Sequence, residues 1–145
     1  MSQNSSQIHC QPKDCQEWRQ IAMERGKDAL ALQRAARLTA AVYMAGYMLE
    51  AYLKACCAAK KSHYPTSGSE GHNLELLWNI AELHYPPNTD VQIQEFYLRR
   101  WSTDLRYCLP EKIGFSTQQA ADMLAGANIL ATFIANGIKR TRRRC

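Results

Sequence analysis

Three short stretches of this chain set charged or titratable side chains among core-like residues. In "YMAGYMLEAYLK", residues 43–54, Glu50 and Lys54 stand about one helical turn apart. "GHNLELL" offers His72 and Asn73, and "WSTDLRY" offers Arg106 beside Tyr107. A guanidinium grips phosphate through paired hydrogen bonds, and a Tyr ring stacks on a planar base. Arg106 and Tyr107 are therefore candidates for phosphate and base contact. The structural alternative is an Asp104–Arg106 or Glu50–Arg106 bridge with Tyr107 in the core. Glu50 can orient Arg106 or Lys54, or bind a ribose hydroxyl. The plainer readings are a Glu50–Lys54 helical pair, worth about 0.2–0.5 kcal/mol, or a buried ion pair. His72 can contact a ligand or, like Asn73, cap the next helix. Arg99 and Arg100 either extend a basic strip or form a solvated face. Tyr43, Tyr47 and Tyr52 read as core or interface residues rather than stacking platforms.

Metal chemistry finds no frame here. The six Cys include no CxxC pair, and no HxxxH pair exists. Cys10 and Cys15 are too far apart for a zinc knuckle, Cys56 and Cys57 are adjacent on a helix, and Cys108 and Cys145 are isolated. We expect no metal, no cofactor and reduced thiols throughout. The opening "MSQNSSQIHCQPK" lacks an apolar run of signal-peptide length, so export is not expected and the cytoplasm is the expected compartment. The most apolar window, residues 38–59, carries Glu50 and Lys54 and an amphipathic pattern, which argues against a membrane span.

The elements that position these groups read as helices. At 145 residues the chain is one domain by size, and its few Gly and Pro sit mostly between apolar-periodic runs. Residues 1–13 are polar and expected to be disordered. Asp14 can cap a first helix, to about Arg34, with Trp18, Ile21, Ala22, Arg25, Ala29 and Leu32 on one face and Arg25 its one polar member. A second helix, about Ala36 to Lys60, carries two stripes. One is Leu38, Val42, Ala45, Leu49, Tyr52 or Leu53, and Cys56; the other is Tyr43, Tyr47, Glu50, Lys54 and Cys57. Two such faces predict a central helix, and Gly46 in its middle predicts close approach of another helix. A third helix with Leu74, Leu77, Trp78 and Ala81 is expected to stop at Pro86-Pro87. A fourth begins near Asn88 to Asp90 and carries Ile93, Phe96, Tyr97 and Trp101. "STDLRYCLPEKIG" reads as irregular. The last helix opens with a Ser116–Gln119 capping box and an apolar stripe to Ile138. This is an all-α, up-and-down bundle of about five helices. The charge of +5 resides in the terminal "KRTRRR", residues 139–144, which suits phosphate-bearing partners or a solvated helix end.

"AVYMAGYMLEAYLKA", then "GHNLELL", then "WSTDLRY", followed by an Ala-rich final helix, resembles the HEPN family (higher eukaryotes and prokaryotes nucleotide-binding domain) over about residues 14–138. The resemblance implies a helical bundle that commonly dimerises, binds nucleotide or RNA in a cleft, and is often encoded beside a nucleotidyltransferase. Many members are metal-independent ribonucleases of toxin or defence systems, using an Arg followed four to six residues later by His. In this chain that window after Arg106 holds Pro110, Glu111 and Lys112. RNA cleavage without metal needs a proton acceptor and a proton donor. Arg106 stabilises phosphate charge but cannot exchange protons. Three functions follow in order. The first is a nucleotide- or RNA-binding protein without ribonuclease activity, working with a nucleotidyltransferase in a toxin–antitoxin or defence setting. The second is an endoribonuclease in which Glu111 or His72 replaces the missing His. The third is a structural dimerisation module.

Overall fold

The computed structural model describes residues 6–83 and 90–141; His84, Pro86, Pro87, Asn88 and the tail residues Arg142–Cys145 lie outside the described residues. Residues 6–13 have no regular structure and are mostly exposed. Helix α1 spans Cys15–Arg34 and is capped by Asp14, whose carboxylate accepts from the Glu17 N–H at 2.9 Å. Helix α2 spans Leu38–Ala59. A single turn, α3 (Gly68–Gly71), precedes α4 (Leu74–Ile80), and α5 (Val91–Glu95) runs into a π-helical turn at Phe96–Arg100. A 3-10 turn at Thr103–Tyr107 and α6 (Thr117–Lys139) complete the order. Among the described residues there is no strand, and the bundle is the all-α architecture expected.

The central position of α2 follows from its composition. It packs against α1, α4 and α6, and carries fourteen buried residues, including Ala41, Ala45, Leu49, Leu53 and Cys56. Helix α6 opens with the expected capping box: Gln119 N–H donates to Ser116 Oγ at 3.1 Å, and Ser116 N–H donates to Gln119 Oε1 at 2.9 Å. By length and composition α6 passes the test for a membrane-crossing helix, but Ala120, Leu124, Ala127, Leu130, Ala131, Ile134 and Ile138 are buried.

Three helices end alike, and this corrects two boundaries. Arg37 N–H donates to Leu32 O at 2.8 Å, Ser62 N–H to Cys57 O at 3.0 Å, and Leu83 N–H to Trp78 O at 3.3 Å. Each is the closing bond of a Schellman motif, with Ala36, Lys61 and Glu82 in the left-handed region at φ 59°, 54° and 56°. Ala36 therefore ends α1 rather than opening α2. Likewise α4 stops at Ile80 through Glu82, well before the Pro pair. The thiols need a correction too: Cys10, Cys56, Cys57 and Cys108 are free, but Cys15 is disulfide-bonded. Unlike a CxxC, such a bond leaves no local spacing signal.

Gly46 admits a side chain rather than a helix. A Cβ built there would lie 2.0 Å from Cε2 and Nε1 of Trp101, so the indole rests on the backbone of α2. The π-helical turn, closed by Trp101 N–H donating to Phe96 O at 2.7 Å, delivers that indole, whose Nε1–H donates to Tyr43 O at 3.0 Å. Gly46→Ala gains about 1 kcal/mol of helix propensity but forces the anchored indole away. Overpacking of this kind costs about 1–3 kcal/mol or more. With a Cβ falling inside the indole the cost sits at the upper end, so we expect a net loss of up to about 2 kcal/mol, read from the urea midpoint.

Candidate functional site

The second stripe of α2 builds the polar centre of the molecule. Glu50 is 6% exposed and Lys54 1%. Lys54 Nζ donates to Glu50 Oε2 at 3.1 Å and to Thr66 O at 3.3 Å, and lies 4.9 Å from the Trp18 ring centroid. The other carboxylate oxygen, Glu50 Oε1, is 2.6 Å from His72 Nδ1. A carboxylate only accepts, so Nδ1 carries the proton in this contact and Nε2 is the nitrogen left for other partners. His72 belongs to the short α3 turn, where it is the C-cap residue. Asn73, not His72, caps α4: its side chain accepts from Leu76 N–H at 3.0 Å. Glu50, Lys54 and His72 thus meet in one network that also fixes α1, through Trp18, and the loop before α3.

One turn earlier on the stripe, Tyr43 and Tyr47 share a hydroxyl–hydroxyl hydrogen bond of 2.8 Å. Both rings pack on Trp101, at centroid distances of 6.0 and 5.2 Å, and the Tyr47 ring meets the His72 ring edge-on at 6.1 Å. The Tyr47 phenol is pushed well above its ordinary value. Burial is the main cause, followed by the hydrogen bond with Tyr43 and the charge of Glu50, while Arg106 acts in the opposite direction.

At the outer end of the stripe lies a cleft of about 550 Å³, lined by residues that include Arg37, Thr39, Tyr43, Arg106, Cys108 and Phe115. Its floor is the first turn of α2. Arg37 is the N-cap residue but its side chain makes no capping bond, and no acidic residue stands in that first turn. Uncapped N–H groups at a helix start carry the positive end of the dipole, so this wall favours anions. Thr39 Oγ1 donates to Ile113 O at 3.4 Å, which holds the segment after the 3-10 turn against α2. Arg106 is fully exposed, with its guanidinium carbon 4.8 Å from the Tyr107 ring centroid. Its proton is held still more firmly than usual, first by the hydrogen bond it donates to Tyr107.

The structure therefore divides the sequence candidates. Glu50, Lys54 and His72 are in contact. Arg106 lies at the cleft, which Tyr43 also lines, and neither of the alternative Arg106 bridges, to Asp104 or Glu50, forms among the described residues. Tyr107 is not in the core; it is 74% exposed beside Arg106. Arg99 pairs with Glu75 at 3.5 Å and Glu95 at 4.0 Å, so it belongs to a solvated face. Glu111 sits on an exposed turn and lines neither the cleft nor the Glu50 network. Among the described residues no group of three or more His, Cys, Asp or Glu is placed to hold a metal. Sequence reasoning missed Arg37, Thr39 and Trp101. For Trp101 the signal was present: a Gly amid buried positions of a long helix marks something pressed against its backbone.

Two outcomes follow from this geometry. Glu50→Ala strands the Lys54 ammonium in the interior, and loss of one partner of a buried pair costs about 3–5 kcal/mol. The double variant Glu50→Leu with Lys54→Met removes both charges and recovers most of that loss, as a urea-denaturation cycle will show. The raised Tyr47 value gives the alkaline behaviour. The folded protein keeps a proton that the unfolded chain releases near the ordinary value of 10.0. This stabilisation is complete below that pH and is lost as pH climbs through the folded value. Tyr47→Phe should flatten the fall in stability above pH ~10, measured by thermal melts across an alkaline pH series.

Residues 15–138 match the family model described as HEPN domain. No curated protein and no solved structure matches the chain significantly. The matched span runs from the first residue of α1 to within one residue of the end of α6, so it includes the polar network and the cleft together. This chain belongs to the HEPN domain family.

Proposed function

We propose that the chain binds RNA, or a nucleotide, through its phosphate in the Arg37–Arg106 cleft and does not cleave it. The carrying observation is the convergence of two guanidinium-bearing residues on the uncapped first turn of α2 in one cleft. Tyr43 and Phe115 line the same cleft, and exposed Tyr107 stands beside it as a stacking surface for a base. Binding of this kind needs no metal or cofactor. Family membership supports a role linked to nucleotides or RNA. It also motivates the finer parts of the proposal, namely a nucleotidyltransferase partner, a homodimer and a toxin–antitoxin or defence setting.

One observation favours endoribonuclease activity as a second reading. Glu50 orients His72 through Nδ1 and leaves Nε2 able to exchange a proton, the arrangement a general base requires. Against it, neither His72 nor Glu111 lines the cleft that holds Arg106, so phosphate and base are not gathered at one point.

End-labelled tRNA with chelator, run on native and denaturing gels, separates the readings. We expect a shift of intact RNA whose affinity falls about tenfold or more in Arg106→Ala, consistent with loss of a charge-assisted contact, and weakens with salt. Discrete cleavage that disappears in His72→Ala would establish the second reading instead. Absence of both shift and cleavage, with Arg106→Ala altering only thermal stability, would leave a structural module.

A further inference from the structure

The cleft at the start of α2 gathers more positive charge than a phosphate inside a nucleic-acid strand can match. Arg37 and Arg106 both line it, and neither forms an ion pair among the described residues. No carboxylate lines it, and no acidic residue stands in the first turn of α2. Leu38, Thr39 and Ala40 line it too, and their backbone N–H groups precede the first bond inside the helix, Ala41 N–H to Arg37 O at 2.9 Å. The helix start adds about half an elementary positive charge. A phosphodiester answers this with a single negative charge. A phosphomonoester carries nearly two above its second pKa of about 6. The monoester is the better match.

The shape of the cleft points the same way. Its volume is about 550 Å³, the scale of a pocket that encloses one small molecule. One side is closed by the turn from Pro110 to Gly114, folded so tightly that a Cβ on Gly114 would collide with Pro110 O. Thr39 Oγ1 ties that turn to the floor through Ile113 O. An internal phosphodiester reaches such a pocket only where the strand can both enter and leave. A terminal phosphate needs one opening. Tyr43 and Phe115 then offer the attached nucleoside an aromatic wall.

We propose, building on the phosphate reading of this cleft, that it selects the phosphomonoester of a nucleotide, at the end of an RNA or free, over the diesters within a strand. Arg106 and the first-turn N–H groups hold the charge that every phosphate brings. Arg37 answers the second charge, which only the monoester carries. Its side chain makes no capping bond and no ion pair among the described residues, so it is available for that contact.

The test uses the full chain and one oligoribonucleotide prepared in three forms: hydroxyl at both ends, 5′-phosphate, and 3′-phosphate. Fluorescence anisotropy should show a phosphorylated form bound about tenfold or more tightly than the hydroxyl form. Lowering the pH from ~7.5 to ~5 should remove most of that preference, because the monoester gains a proton near pH ~6. The titratable groups lining the cleft are Arg37, Tyr43, Arg106 and Cys108, with no His or carboxylate among them. Arg37→Gln, checked for folding by circular dichroism, should lose the preference while still binding the hydroxyl form. Adenosine monophosphate should displace the phosphorylated strand and adenosine should not. Displacement at concentrations near the strand's own Kd would identify a free nucleotide as the ligand, and displacement only far above it would identify the RNA end. Three forms bound alike, and all weakened by Arg106→Ala, would overturn the end preference and leave a general phosphate site. A preference that survives at low pH or in Arg37→Gln would also overturn it. No binding of any form would overturn the phosphate reading of the cleft and this proposal together.

Discussion

A carboxylate that is 6% exposed in the middle of a core helix has to be satisfied, and the way Glu50 is satisfied organises this molecule. Removing an ion from water costs several kcal/mol even after relaxation. Glu50 recovers that cost by using both oxygens, one on Lys54 and one on His72. Lys54, itself 1% exposed, completes its own coordination with Thr66 O and the face of Trp18. Three chain segments distant in sequence are thereby tied to α2: the start of α1, the loop before α3, and α3 itself. An apolar core of the same volume would hold the helices together as well. The ionic network adds discrimination, because a rotated or slipped α2 would bury these charges without partners.

From that network a continuous polar stripe runs along α2 towards solvent, through Tyr47, Tyr43 and Thr39, to the cleft at its N-terminal end. The stripe is kept open by Trp101, which stands on Gly46 and braces both Tyr rings. The arrangement separates rigid from adaptable parts. Glu50, Lys54 and the tyrosine pair are locked by packing, whereas Arg106 and Tyr107 are exposed and bonded chiefly to each other. A guanidinium held against its neighbouring ring in this way remains available to an incoming phosphate. The helix dipole of α2 and Arg37 supply fixed positive potential behind it.

Much of this arrangement is legible in the sequence. The periodicity of Leu38 to Cys56 and the neighbouring Tyr43 to Cys57 stripe marked α2 as central, and the Asp14, Asn73 and Ser116 caps placed three helix starts. Those signals are local, one side chain bonding a backbone N–H three residues away. The ends of α1 and α2 fell where the periodicity stopped, but the start of α2 and the end of α4 were not legible, because Ala36 and Glu82 adopt left-handed geometry that sequence assigns to Gly. Nor was the division of the polar residues. Glu50 and Lys54 one turn apart read equally as a solvated helical pair or a buried ion pair, and the packing of α1 and α3 over them decides for burial. Arg37 carried no signal, since a guanidinium in a helix–helix turn is ordinary until the Leu105–Phe115 segment folds back to enclose it.

The central claim is that phosphate-bearing ligand sits in the cleft at the start of α2. The most direct measurement is a nuclear magnetic resonance titration of the 15N-labelled chain with a short single-stranded RNA, following backbone amides and Arg side-chain Nε–Hε signals together. The account predicts the largest shifts at Leu38, Thr39 and Ala40 and at the Arg37 and Arg106 side chains, with smaller ones at Tyr43 and Phe115. Lys54 and Glu50 should stay nearly still. Shifts gathered on another face of the bundle, or shifts centred on His72 with Arg37 and Arg106 unmoved, would contradict it.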